Sequence, residues 1–232
     1  MSRADELGTN LAAVRDRIAA ACAAAGRGAE EVSLTVVTKF FPASDVRLLA
    51  DLGVTDVGEN RFQETERKVA ECADLSLTWH FIGGLQSNKA AAVARTVQVV
   101  ESVDRAKLVR PLASGAEQAG RTLEVLVQVS LDPPGAGHRS GVEPAGVLEL
   151  AGLVAATDGL RLAGLMAVAP LGEEPAAAFE RLADVRAGLL AEHPEATRLS
   201  AGMSGDLEQA IAAGATHVRV GSAVLGSRPP VG

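Results

Sequence analysis

Lys39 is one of only four lysines in the 232-residue chain, and the only one that directly follows an apolar run, Leu34-Thr-Val-Val-Thr38. An unperturbed lysine amine has a pKa near ~10.4 and is mostly protonated at neutral pH. Desolvation or a neighbouring cation lowers that value and frees the amine to condense with a carbonyl as a Schiff base. A lysine snorkelling from a rim reads the same way in sequence. The other lysines keep different company. Lys68 lies in Glu64-Thr-Glu-Arg-Lys68, where a solvated helix face is expected, and Lys107 lies between Arg105 and Arg110. Lys89 falls in a loop or first helical turn.

A second chemistry is written further along. Gly202-Met-Ser-Gly-Asp206 joins a strand-like run to a helix-like one, so Ser204 is expected to cap that helix, where unpaired N–H groups suit an anion. Gly221-Ser222 follows the next run, and glycine there lets the backbone approach a ligand closely. Taken singly, these residues describe an ordinary cap and an ordinary tight turn. On adjacent strand ends they favour a phosphate. Other candidates are weaker. Gly83-Gly-Leu-Gln-Ser-Asn-Lys89 lacks P-loop spacing. The histidines show no i, i+4 pairing and no nearby cysteine, which argues against a metal. His80 is expected to be a hydrogen-bonded packing residue, and Glu59 either a general base or a group orienting Asn60 or Arg61.

The elements that must position these residues alternate along the chain. Strands are predicted over 34–39, 56–59, 79–82, 97–101, 123–130, 160–166, 198–200 and 217–220. Helices are predicted over 7–25, 44–52, 61–72, 86–94, 104–119, 144–156, 175–192 and 206–213, with one long loop over 132–141. This alternation, without a composition break, favours one α/β domain over residues 1–232, a single TIM-type (β/α)8 barrel with an additional N-terminal helix. An open doubly wound sheet is the alternative. The first helix precedes the first strand and is expected to fill the slot of a missing last one, which makes a monomer plausible. Active groups in such barrels sit at the C-terminal strand ends. Those ends carry Lys39, Glu59-Asn60, His80, Met166, Met203-Ser204 and Gly221-Ser222. Strand alternation puts Thr35, Val37 and Lys39 on one face and turns Arg219 into the barrel. In a closed barrel the eighth strand adjoins the first, so Lys39 and the phosphate site become neighbours, as a phosphorylated aldehyde requires.

Composition narrows the classes. Hydrophobic residues make up 47% and aromatics 3%, so the core is aliphatic. A net charge of −7, with no basic run, argues against nucleic-acid binding. The N-terminus has no apolar signal region, and no stretch approaches the roughly 18 apolar residues of a membrane span. Cys22 and Cys72 are expected to be reduced structural thiols, and a cytoplasmic location is expected.

The ordered motifs resemble a known family. They are Thr38-Lys39, Gly58-Glu-Asn-Arg-Phe-Gln-Glu64, Trp79-His-Phe-Ile-Gly-Gly-Leu-Gln-Ser-Asn-Lys89, Gly164-Leu-Met166, Leu199-Ser-Ala-Gly-Met-Ser204 and Val218-Arg-Val-Gly221. The set is similar to the pyridoxal phosphate homeostasis protein family, relatives of the alanine racemase N-terminal domain, from about Val36 to Arg228. Thr38 stands where many members have serine, Ala201 where many have methionine and Leu225 where many have phenylalanine. The resemblance implies pyridoxal 5′-phosphate as cofactor and Lys39 as its Schiff-base lysine. Ser204, Gly221 and Ser222 would hold the phosphate, Arg219 would face the pyridine nitrogen, and Asn60 would lie beside the cofactor. It implies a role in vitamin B6 and amino-acid balance without an established reaction, with apo pyridoxal-phosphate enzymes as candidate recipients.

Two other functions compete. An amino-acid racemase needs proton donors on both faces of the cofactor. The family's larger relatives take one from a tyrosine of another domain, and this chain has no tyrosine. Histidine or cysteine are the substitutes chemistry allows. A Schiff-base aldolase acting on a sugar phosphate would use the same lysine and phosphate site, and only the family motifs count against it.

Overall fold

The computed structural model describes residues 2–133 and 140–227. Eight parallel strands close into a barrel in sequence order. They are β1 (Ser33–Val37), β2 (Asp56–Glu59), β3 (Thr78–Phe81), β4 (Val99–Val103), β5 (Leu123–Gln128), β6 (Leu160–Met166), β7 (Arg198–Ser200) and β8 (His217–Val220). The closed barrel replaces the open-sheet alternative. Closure is carried by β1, whose Thr35 pairs with Asp56 of β2 on one side and Arg219 of β8 on the other. Residues 134–139, most of the predicted long loop, and Arg228 lie outside the described residues.

The connecting helices are α2 (Ala43–Asp51), α3 (Phe62–Glu71), α4 (Ala90–Thr96), α5 (Val109–Gln118), α6 (Val147–Ala155), α7 (Pro175–Glu192) and α8 (Leu207–Ala212). A last turn, α9 (Ser222–Leu225), follows β8 and was not expected from the sequence. The N-terminal helix, α1 (Arg3–Ala24), begins at a capping box: the Ser2 hydroxyl accepts from the Asp5 N–H, and the Asp5 carboxylate accepts from the Ser2 N–H. Its Leu7, Leu11, Val14, Ile18 and Cys22 form one buried stripe. The helix packs against α2, α8 and α9. Arg3 pairs with Asp45 of α2 at 2.7 Å, and Arg17 pairs with Glu208 of α8 at 2.8 Å. It therefore occupies the gap in the outer ring, as its position before β1 led one to expect.

Two cores result. The larger lies between the strands and the helices and is almost wholly aliphatic. The smaller, inside the barrel, comprises Val99, Leu126, Ala163 and Met166. The rest of the interior includes polar side chains, among them Thr35, His80, Glu101, Ser200 and Arg219, each 3% exposed or less. No described helix is long and apolar enough to cross a membrane.

Candidate functional site

At the C-terminal end of the barrel, a cavity of about 350 Å³ is lined by Val37, Lys39, Met203, Ser204, Arg219, Gly221 and Ser222, among others. That size suits a small-molecule ligand. Five of the six residues singled out from sequence share this wall.

Lys39 lies just past β1, with Val37 beneath it on the same face. The turn that carries it is held from behind. Phe40, the only described non-glycine residue with positive φ, sits at +74°, a conformation costly for a bulky side chain. Its N–H donates to Glu64 Oε1 at 2.6 Å. The Lys68 ammonium donates to Thr38 O at 2.7 Å, Glu59 Oε1 at 2.6 Å and Glu64 Oε1 at 2.8 Å, which uses its three protons. The Thr38 hydroxyl also donates to Glu59 Oε1, at 2.6 Å. Lys68 is fully buried and not on a solvated face. Its run of charged neighbours hid the fact that Thr65 and Lys68 turn inward together. Glu59 faces this cluster. Its bonds run to Thr38 of the Lys39 turn and to Lys68, and it does not line the cavity. Burial raises its carboxyl above the ordinary range, against the pull of Lys68 and Thr38.

On the opposite wall, the loops after β7 and β8 meet through hydroxyls. Ser222 Oγ donates to Ser204 Oγ at 3.3 Å, and the Ala223 N–H reaches Ser204 Oγ at 3.4 Å. Ser204 does not cap α8, which starts later, at Leu207 behind Asp206. It is Asp206 that closes the loop, accepting from the Met203 N–H at 2.6 Å. Gly221 is pressed against β1: a Cβ there would lie 3.1 Å from the Val37 carbonyl oxygen.

Asn60 does not line the cavity, though it follows β2 at the same end of the barrel. Its Oδ1 is buried, with no hydrogen-bond partner among the described residues. Its carbonyl oxygen would lie 2.1 Å from a Cβ on Gly83, so only glycine fits opposite it.

Arg219 forms part of the cavity floor while remaining 3% exposed. Its Nη1 donates to Ser200 Oγ at 2.7 Å and its Nη2 to Ala167 O at 2.8 Å. Burial lowers its pKa, offset in part by Glu101 and Asp206. His80 is buried and hydrogen-bonded, as expected, but its partners are both carboxylates: Nδ1 lies 2.7 Å from Glu101 Oε1 and Nε2 lies 3.0 Å from Asp56 Oδ1. Burial alone would depress the imidazole. The two carboxylates outweigh it and raise it to about 9.

Lys89 ends a single 3₁₀ turn after β3, with its ammonium 5.9 Å from the Phe62 ring, and Lys107 is exposed. Among the described residues no cluster of histidine, cysteine or acidic side chains could hold a metal.

Comparison with known proteins sets this geometry in context. Residues 9–229 match the family model of the alanine racemase N-terminal domain. The chain is 44% identical to the pyridoxal phosphate homeostasis protein of Mycobacterium tuberculosis, covering 97% of this chain and 94% of that one. It is 39% identical to the Escherichia coli protein of the same name, covering 97% of both. The structure of PipY from Synechococcus elongatus with PLP bound superposes with a TM-score of 0.83 at 34% identity, covering 95% of this chain and all of that one.

Proposed function

The chain belongs to the pyridoxal phosphate homeostasis protein family, related to the alanine racemase N-terminal barrel, and from that premise we propose that it binds pyridoxal 5′-phosphate and acts in vitamin B6 and amino-acid homeostasis. The observation that carries this reading is the joining of Lys39, Arg219 and the Ser204–Ser222 hydroxyl pair on one cavity. The residues fit the cofactor. Lys39 supplies an amine and the two serines supply hydroxyl donors, all on the cavity wall.

When bound, the cofactor supplies an aldehyde that an amine can hold reversibly, together with a phosphate anchor. Lys39 is the amine that holds it. Ser204 and Ser222 would donate to the phosphate from the joined loops, with the Gly221 backbone lining the cavity beside them. With the cofactor bound, Arg219 would face the pyridine nitrogen from the cavity floor. A guanidinium stays protonated and cannot accept a proton, so it would keep that nitrogen unprotonated. The ring would then be a weak electron sink, which suits holding and release better than broad amino-acid chemistry.

Racemase activity finds little support. Of the described residues lining the cavity, none is histidine, cysteine, aspartate or glutamate. Cys22 and Cys72 are buried among the helices, His80 and His217 sit within the barrel strands, and His193 follows the end of α7. His138 lies outside the described residues. The recipients we assign to the released cofactor are apo pyridoxal-phosphate enzymes, and a monomer is supported by Lys39, Ser204, Arg219, Gly221 and Ser222 lining one cavity of one chain.

The test is cofactor titration of the apo protein. Binding should turn the sample yellow, and Ser204→Ala with Ser222→Ala should weaken affinity by at least about tenfold, since each removes a hydrogen bond to a charged group. Unchanged affinity would remove the phosphate assignment. Sustained racemisation at about 1 s⁻¹ or more, the low end of ordinary turnover, would overturn the carrier reading.

A further inference from the structure

Beneath the cavity floor, a chain of polar contacts crosses the barrel. It runs from Asp56 on β2 to His80 on β3, then to Glu101 on β4, Ser200 on β7 and Arg219 on β8. Strands β4 and β7 are not neighbours, so the 2.6 Å bond from Ser200 Oγ to Glu101 Oε2 spans the interior. His80, Glu101, Ser200 and Arg219 are each 3% exposed or less. Two acids and two bases alternate along it, with Asp56 at the partly exposed end, so the charges of the whole chain of contacts balance when His80 is protonated.

Direction in this chain is fixed by chemistry. Arg219 can only donate, so Ser200 Oγ must accept from it. The single Ser200 proton is therefore directed at Glu101, which as a carboxylate can only accept. Were Glu101 to lose its charge, its own proton could donate to Ser200 Oγ, and the serine proton would no longer have an obligatory acceptor. Burial alone would favour a protonated Glu101. Its bond to His80, the charges of His80 and Arg219, and Ser200 hold it down at about 2.

We infer that Glu101 and His80 are positioning residues for Arg219, acting through the Ser200 hydroxyl to fix which edge of the guanidinium the cavity receives. Neither Glu101, His80 nor Ser200 lines the cavity, so their influence on a ligand must pass through Arg219. Where it concerns pyridoxal phosphate, the inference rests on the function proposed above. Its statement about Arg219 and His80 in the empty protein does not. The groups facing His80 are Asp56 and Glu101 directly, with His217, Arg198 and Arg219 beyond them.

Two measurements test it. In the cofactor-free protein, the His80 titration is followed by NMR in wild type and Arg219→Gln. Removing the cation leaves Glu101 less neutralised, so the His80 midpoint should move upward. An unmoved midpoint overturns the relay. In the loaded protein, pyridoxal phosphate affinity and the pH profile of its visible absorption are measured for Ser200→Ala, Arg219→Gln and the double variant. Ser200→Ala should weaken binding about tenfold and alter the pH profile in the wild-type background, yet change neither in the R219Q background. Equal losses in both backgrounds would reduce Ser200 to a structural role and overturn the inference. If R219Q does not fold, Arg219→Lys replaces it: the charge is kept but the planar guanidinium edge that Ser200 fixes is gone, so the His80 midpoint should stay in place while S200A costs nothing further. A loss from S200A in that background contradicts the relay. If the wild-type protein takes up no pyridoxal phosphate, the proposed function falls, and the NMR comparison alone decides the relay.

Discussion

The Lys68 ammonium donates to the carbonyl oxygen of Thr38, the residue before Lys39, at 2.7 Å. One buried cation thus ties the Lys39 turn to Glu59 on β2 and Glu64 on α3. Removing one partner of a buried ion pair leaves the other charge uncompensated and costs about 3–5 kcal/mol. Lys68→Met should lower unfolding stability by that order in urea titrations. Adding Glu59→Gln should recover part of the loss.

Stability should also follow pH in a defined way. His80 is raised to about 9 in the folded protein, from 6.5 unperturbed. Its contribution is complete below the lower value and lost as pH rises through the upper one. Glu101, lowered to about 2 from 4.5, contributes fully above the higher value and loses its contribution as pH falls. His217, driven down to about 4 from 6.5 by burial and by Arg198, stays neutral when folded, so it too favours unfolding on acidification. Melting temperature should therefore be highest at roughly pH 6–7. His80→Gln should flatten the alkaline decline. An unchanged alkaline limb in that variant would exclude His80 as its cause.

Much of this architecture was legible in the sequence. The bounds of β2, β6, β7 and β8 and of α7 were read as they stand: β2 and β7 end on polar residues, β8 stops before Gly221, and α7 opens on Pro175. β4 was displaced: Val97 and Val100 are apolar enough to begin a strand, but the strand runs over Val99–Val103. That slip placed Glu101 at a strand end and concealed its position inside the barrel. Its partner Ser200 lies 99 residues away, a separation that no local period reports. Lys68 was misread for a related reason, since its charged neighbours describe the outer face of α3 and not the inner one.

Gly83→Ala should disturb the site without touching the cavity wall. The new Cβ would lie 2.1 Å from the Asn60 carbonyl oxygen, so that backbone must shift. Overpacking of this kind costs about 1–3 kcal/mol. Thermal melts should show the loss, and cofactor affinity should fall with it.

Cys22 and Cys72 are both 1% exposed or less, and burial raises both thiols above the ordinary value. The thiolate is the reactive form. Neither should react with a thiol reagent in the folded protein, and both should react on unfolding. Rapid labelling in native buffer would contradict their buried placement.

The central claim is that Lys39 holds pyridoxal 5′-phosphate. Borohydride reduction of the loaded protein, followed by peptide mass spectrometry, tests it most directly. The account predicts a pyridoxyl label on the peptide containing Lys39 and none on those containing Lys68, Lys89 or Lys107, with Lys39→Ala both unlabelled and colourless. A label on another lysine, or a K39A protein that remains yellow, would contradict it.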